Sequence, residues 1–425
     1  MKELIILKDL NDQQKEAVLS IDGPVFVVAG AGTGKTRTLT TRVVYLIQAG
    51  VNPDNILTLT FTNKAANEMK QRISYMLQEA GKEIIDLKLK YMSTFHSFGL
   101  RFLKKNIEVL ENGLTKEFAV CDEDDAKKLV KEVLKENNYD DKEFPFKDTF
   151  EKITGLKVGR YRFYVKTEEL ESILTKYQQK LIDNNLCDFD DLLLYTKQIL
   201  EKHPKIRTYY QNQFEYILVD EFQDTDLIQY QILKLLTNQQ KNIFVVGDPD
   251  QSIYSFRGAR YENNNAFIKE YNAKVLVLDD NYRSTNLILE KANRLINHNL
   301  DRHPSHKGKN LKSELGQGNA PVFRSFERDI DEAVWVANEI SDLYKKAKYQ
   351  LKDIAVLYRS NYLGRIFEEV FARRGISYII YGGISFFERR EVKDMLAYLR
   401  LAISSDYNFY FKRIVNVPKR KIGPV

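Results

Sequence analysis

The 425 residues read as an α/β protein built on parallel sheets, and three observations predict it. Short apolar runs alternate with helical stretches, as strands and crossover helices do in a parallel sheet. One of those runs feeds a glycine-rich turn that opens directly into a helix. A Lys- and Glu-rich stretch then interrupts the alternation before it resumes, which predicts an insertion in the first sheet domain.

In chain order, Pro24 to Val28 is the first buried strand, and the helical stretch after Ala29 to Thr36 ends near Gly50. A second strand, Ile56 to Phe61, precedes the helix NKAANEMKQRI. From Phe102 to Asn185 the texture is helical. Strands then recur at Tyr216–Glu221, Asn242–Asp248 and Ala273–Leu278. Beyond Asn281 a second sheet is expected from Val322–Phe326, Ile354–Tyr358 and Tyr378–Tyr381, with His303 to Gly318 as a basic loop within it. The architecture expected is two α/β lobes with a helical insertion in the first, since the length exceeds one ordinary core.

Composition narrows the function classes. Hydrophobic residues make up 43% and charged residues 29%, ordinary for a globular protein, and the formal net charge is +6. That excess is compatible with a nucleic-acid partner without establishing one. Two cysteines, Cys121 and Cys187, support neither a disulfide framework nor a zinc site. No uncharged apolar run reaches the roughly 18 residues of a membrane span, and the opening MKELIILKDLNDQQ lacks a signal-peptide core. A cytoplasmic protein with no membrane partner is expected.

The run Ala29-Gly30-Ala31-Gly32-Thr33-Gly34-Lys35-Thr36 matches the P-loop pattern, with Ala at its first position. Its glycines let successive backbone N–H groups turn inward around phosphate oxygens, and the following helix adds the positive end of its dipole. Lys35 is expected to reach the β- and γ-phosphates and the Thr36 hydroxyl to ligate Mg²⁺. Asp220 and Glu221 end an apolar strand, where the first suits Mg²⁺ coordination and the second general-base activation of water. ATP and Mg²⁺ are therefore the expected ligands.

Further strings are more specific. LNDQQKEAV (10–18), TFTNKAA (60–66), STFHSF (93–98), CDFDDLL (187–193), DEFQDT (220–225), VGDPDQSIYSFRGA (246–259), DDNYRST (279–285), AVLYRSN (355–361) and GGISFFERREVKDMLAYLR (382–400) occur in this order. Together they resemble the motifs of the UvrD/PcrA/Rep family of superfamily 1A DNA helicases. The resemblance implies a RecA-like ATP-binding lobe at 1–101 and 186–280 with a helical insertion at 102–185. It also implies a second, incomplete RecA-like lobe at 281–388 and the start of a second inserted helical domain at 389–425.

The resemblance further implies that Gln14 bonds the adenine edge, Tyr282 stacks on the base, and Arg37 completes the nucleotide pocket. Gln251 would sense the γ-phosphate and couple its state to the DNA site, and Arg283 would act as an arginine finger, a device typically worth about 10³–10⁵ in rate. Phe61, Phe189, Tyr254 and Phe256 would stack on single-stranded bases, while Thr62, Asn63, Lys64, His96, Arg257 and Arg359 would contact the strand. Phe256 departs from the family's usual tryptophan and is expected to stack more weakly. The function implied is an ATP-dependent DNA helicase moving 3′ to 5′ on single strands and strand–duplex junctions, serving DNA repair or replication with unidentified proteins of those processes.

Two family motifs, resembling T-x-H-x-A-K-G-L-E and R-R-L-x-Y-V-A-x-T-R-A, have no counterpart in these residues. The expectation is a piece of a longer protein or a short gene product that unwinds poorly alone. Two other readings stay open: an ATP-gated single-strand binder without motor activity, and the helicase part of a RecB- or AddA-like helicase–nuclease.

Overall fold

A computed structural model describes residues 5–81, 88–159, 168–299, 310–346, 349–381, 389–403 and 408–423. The chain divides into two compact units, residues 1–320 and 321–425.

The first unit is organised on a parallel sheet. Helix α1 (Asp12–Leu19) leads into β1 (Val25–Ala29), whose chain turns through the glycines into α2 (Lys35–Gln48). Strand β2 (Ile56–Thr60) and helix α3 (Asn63–Glu79) repeat the pattern, followed by β3 (Met92–Thr94) and α4 (Phe95–Asn106). The insertion comprises β4 (Ala119–Cys121), α5 (Glu123–Glu136), α6 (Phe146–Lys157) and α7 (Glu168–Asp183), closed by β5 (Leu186–Asp188). β4 and β5 pair in parallel, Ala119 opposite Leu186. Helices α8 (Phe189–Lys202) and α9 (Pro204–Gln213) return the chain to the sheet. There β6 (Tyr216–Val219), α10 (Leu227–Leu236), β7 (Ile243–Gly247), α11 (Glu262–Tyr271) and β8 (Lys274–Leu278) complete it.

The six strands lie in the order β3-β2-β6-β7-β1-β8, all parallel. Alternate residues of each strand enter opposite cores. Phe26, Val28, Leu57, Leu59, Ile217 and Val219 face one, with α4, α8 and α10, while Val25, Val27, Ile56, Leu218 and Phe244 face the other, with α2 and α3. Burial on both faces is why these strands read as continuous apolar runs rather than alternating ones.

Because every strand points the same way, all the loops after the strands gather at one edge of the sheet. That edge is where open α/β sheets bind ligands. Two short strands, β9 (Asp280–Asn281) and β10 (Lys312–Ser313), pair in parallel beside it, with α12 (Asn286–Ile296) between them in sequence. Residues 281–320 thus cluster with the first unit, and the compact division falls between Ala320 and Pro321.

In the second unit α13 (Asp329–Lys345) packs on α14 (Gly364–Arg373) through Ala333, Ala337 and Ile340 against Phe367, Val370 and Phe371. Helix α15 (Arg390–Ile403) packs with α16 (Asn408–Ile414), and Arg413 pairs with Asp394 at 2.8 Å.

The three strands expected here are not formed. Residues 322–326, 354–358 and 378–381 carry no strand pairing among the described residues. Ile354, Val356 and Tyr358 turn toward the helices, while Leu357 between them is 93% exposed. Apolar alternation decides which side chains turn inward, but a strand also needs a ladder partner, and none is supplied there. Within the expected basic loop, 303–309 lie outside the described residues and Lys312–Ser313 form β10. Residues 382–388 of the string GGISFFERREVKDMLAYLR also lie outside them.

Candidate nucleotide site and nucleic-acid cleft

The glycine-rich turn follows β1 directly. Gly32 and Gly34 adopt φ of 76° and 84°, the left-handed region where a side chain is strained, and Gly34 caps α2 with no side-chain partner. There is no room for one either: a Cβ on Gly32 would lie 2.6 Å from Arg283 Cβ and 2.7 Å from Asn281 Nδ2. Leu311 packs against Gly30 in the same way. Thr33 Oγ1 donates to Gly30 O at 2.9 Å, closing the turn. The backbone N–H groups at the start of α2 therefore remain for an incoming anion.

The ammonium of Lys35, at the first position of α2, lies 2.9 Å from Glu221 Oε2. Glu221 sits just past β6 with φ 49°, a left-handed conformation unusual for glutamate. Asp220 is 5% exposed, and its Oδ1 has no hydrogen-bond partner. Burial first, then the neighbouring Glu221 charge, push the Asp220 carboxyl up to about 7, against the opposing pull of Lys35. Asp224 is pushed up to about 6 by burial and Glu221, and its Oδ1 also lacks a partner. Thr36 stands in the first turn of α2. Among the described residues no three acidic, His or Cys side chains form a self-contained metal cage.

Around this centre, Gln14 is 2% exposed and uses both ends of its amide within the protein. Its Oε1 accepts from Asn11 N at 3.2 Å and its Nε2 donates to Thr33 O at 2.9 Å, tying α1 to the phosphate-binding turn. Ala29 ends β1 fully buried, and Ala31 O accepts from Asn281 Nδ2. Tyr282 N donates to Gly32 O at 2.9 Å, and Tyr282 OH accepts from Asn11 Nδ2 at 2.9 Å with its ring 45% exposed. Arg283 is exposed beside the turn, and Arg37 pairs at 3.3 Å with Asp9. Gln251 Nε2 donates to Asp248 Oδ2 at 2.6 Å, at the end of β7.

A cleft of about 550 Å³ opens along the same edge of the sheet, lined by Phe61, Thr62, His96, Phe189, Tyr254 and Arg257 together with Asp220, Glu221 and Asp224. The rings of Phe61 and Tyr254 stack with centroids 5.0 Å apart at 29°, and Phe256 lies 5.9 Å beyond Tyr254. The Arg257 guanidinium lies over both Tyr254 and Phe256. Phe189 is 49% exposed and meets His96 edge-on at 6.0 Å; burial holds the His96 imidazole below its ordinary range.

Three other residues expected here serve locally as well. Thr62 Oγ1 caps α3 by accepting from Ala65 N at 3.1 Å, and Asn63 Oδ1 accepts from Ser97 Oγ at 3.1 Å. Lys64 is exposed, 3.8 Å from Glu68. Arg359 belongs to the second unit.

Sequence reasoning passed over Gln223, Asp224 and Asn281. Each lies inside a string that had been recognised, DEFQDT or DDNYRST, so position was the available signal. What each one touches depends on loops brought together by the sheet.

A lysine from a glycine-rich turn facing an acidic strand end, on one edge of a parallel sheet, defines the P-loop NTPase class. Residues 10–272 match the UvrD/REP helicase N-terminal domain, and residues 276–425 match the UvrD-like helicase C-terminal domain. The chain belongs to the UvrD/REP helicase family. It is 41% identical over 432 residues to the ATP-dependent DNA helicase PcrA of Bacillus subtilis (strain 168), covering 98% of this chain and 56% of that protein. The proteins of that name from Staphylococcus epidermidis (strain ATCC 12228 / FDA PCI 1200) and Staphylococcus aureus (strain NCTC 8325 / PS 47) are 40% and 39% identical, each over 99% of this chain and 57% of theirs. The chain thus spans about half the length of the curated relatives it matches.

Proposed function

We propose that this chain carries the ATP site and the single-strand grip of a DNA helicase or translocase. The observation that carries the reading is the shared edge of the sheet: Asp220 and Glu221, the latter paired with Lys35, line the same cleft as the stacked rings of Phe61 and Tyr254. The relatives' name, ATP-dependent DNA helicase, supports it.

The turn Ala29–Thr36 would cradle the phosphates, with Lys35 leaving Glu221 for the β- and γ-phosphate oxygens. Glu221, so released, would orient and deprotonate the attacking water. Thr36 and Asp220 are the residues to hold Mg²⁺, and the buried, unpartnered Asp220 Oδ1 fits that role. Bound there, Mg²⁺ supplies charge neutralisation at the phosphate oxygens. Tyr282 would offer its exposed face to the base, Gln14 would exchange Thr33 O for the adenine edge, and Arg37 would leave Asp9 for the nucleotide. Gln251 would report the γ-phosphate, and Arg283 would neutralise charge in the transition state.

Phe61, Phe189, Tyr254 and Phe256 would stack on bases of any sequence. Lys64, Arg257 and Arg359 would meet the strand's phosphates, with Thr62, Asn63 and His96 at its border. The lobe layout (1–101 with 186–280, insertion 102–185, second lobe 281–388, second insertion 389–425), movement 3′ to 5′, strand–duplex junctions as substrate and a cytoplasmic setting in DNA repair or replication complete the proposal.

ATP turnover measured with and without single-stranded DNA tests it. Turnover is expected to rise with DNA. Lys35→Ala is expected to lose turnover while keeping nucleotide-free DNA binding, and a Lys35→Ala chain with full turnover would contradict the site.

A further inference from the structure

We infer that Gln223 is a positioning residue whose side chain links the nucleotide carboxylates to the loop bearing the aromatic platform, so that nucleotide and single strand bind with coupled affinities. The inference rests on the two-site reading above and goes beyond it by naming the connection.

Gln223 lies in the short turn after β6 and is 2% exposed. Its Nε2 donates to Glu221 Oε2 at 2.8 Å and to Asp224 Oδ2 at 3.3 Å. Its Oε1 accepts from Asp248 N at 2.9 Å, at the end of β7. The orientation of the amide is chemically forced, because the nitrogen faces carboxylates and the oxygen faces an N–H.

Two further contacts tie the same loop in, one at Asp248 and one at the Gln223 backbone. Asp248 Oδ2 accepts from Gln251 Nε2 at 2.6 Å, and Ser252 Oγ donates to Gln223 O at 3.3 Å. Tyr254, stacked on Phe61, follows two residues later. An unbroken set of polar contacts therefore runs from the Lys35 ammonium through Glu221 and Gln223 to the platform loop.

Little slack exists at the crossing. A Cβ on Gly247 would lie 2.7 Å from Gln223 Oε1 and 3.2 Å from Gln223 N, so the two loops are in direct contact. When a phosphate draws Lys35 away, Glu221 loses its cation and keeps Gln223 Nε2 as a donor. Any shift of that carboxylate moves the amide, and the amide's other end holds Asp248 N. Buried networks of this kind have few alternative arrangements, which is what lets one end bias the other.

The test is the dissociation constant of a fluorescent oligothymidylate, measured without nucleotide and with saturating Mg²⁺ and a non-hydrolysable ATP analogue. In the wild-type chain the two values are expected to differ by about fivefold or more, the lower end of common coupling factors. Gln223→Met is expected to bring the ratio within about twofold of one while each ligand alone binds within about threefold of wild type, since a coupling loss leaves the separate affinities standing. Gln223→Glu, which keeps the acceptor and removes the donor, is expected to lose the ratio too. Ser252→Ala is expected to reduce it partly, and decides the matter if the Gln223 variants do not fold by circular dichroism. A folded Gln223→Met chain with the wild-type ratio overturns the inference, as does a wild type that binds both ligands with a ratio of one. A wild type that binds neither overturns the two-site reading and this inference together.

Discussion

At the scale of single residues, Asp220 has the sharpest conflict between stability and use. Its carboxyl is buried beside Glu221 and rises to about 7, with one oxygen unpartnered. A carboxyl whose folded value lies above its unfolded value binds more protons when folded, so stability falls as pH rises between the two. Here that window runs from the ordinary carboxylate range up to about 7. In metal-free buffer Asp220→Asn is expected to stabilise the chain at pH 8 by roughly 1–3 kcal/mol, the cost of an unsatisfied buried group. The gain should shrink as pH falls through this window and vanish below about pH 3, where wild type is protonated in both states; thermal melts across pH check it.

Glu221 and Lys35 were legible from residue type and position alone. Gln14 was named only through the family resemblance, as an expected adenine contact; its capping of α1 and bond to Thr33 were not legible, because they depend on where the turn falls in space. In the cleft, Tyr254→Ala and Phe61→Ala are each expected to weaken oligothymidylate binding by about 1–3 kcal/mol, read by titration.

At the scale of elements, the central strands were readable because burial on both faces leaves continuous apolar runs such as Val25–Ala29. The helix after Thr62 was readable too, and its start is set locally: Thr62 accepts from the N–H three residues on, as Thr94 and Asp188 do at helix starts the sequence reading did not place. The segments 322–326, 354–358 and 378–381 misled because pairing is non-local; alternation placed Ile354 and Val356 inward without supplying a neighbour.

The join between insertion and sheet was also invisible in the sequence. Lys157 at the end of α6 lies 2.7 Å from Asp188 and 2.8 Å from Asp191, with all three buried, and Tyr177 OH donates to Asp188 at 2.8 Å. This braces the start of α8, where Phe189 enters the cleft. Removing one partner of a buried pair leaves uncompensated charge, so Lys157→Met is expected to cost about 3–5 kcal/mol in denaturant unfolding. Loss under 1 kcal/mol would mean the brace is not structural.

At the scale of the whole molecule, parallel strand direction is the feature that turns scattered strings into one site. Residues from β1, β2, β6 and β7 meet because their chains all exit at the same edge of the sheet. Strand binding that depends on cations such as Lys64 and Arg257 should weaken as salt rises, with log affinity linear in log salt concentration. The central claim is that this edge holds two separable sites, one for nucleotide and one for a single strand. The most direct measurement is a crosswise titration of Lys35→Ala and Tyr254→Ala with Mg²⁺·ATP analogue and with oligothymidylate. Lys35→Ala is expected to lose nucleotide binding about tenfold or more with DNA affinity retained, and Tyr254→Ala the reverse, since each removes contacts to one ligand only. Equal losses of both ligands in folded variants, or no loss of either, would contradict the account.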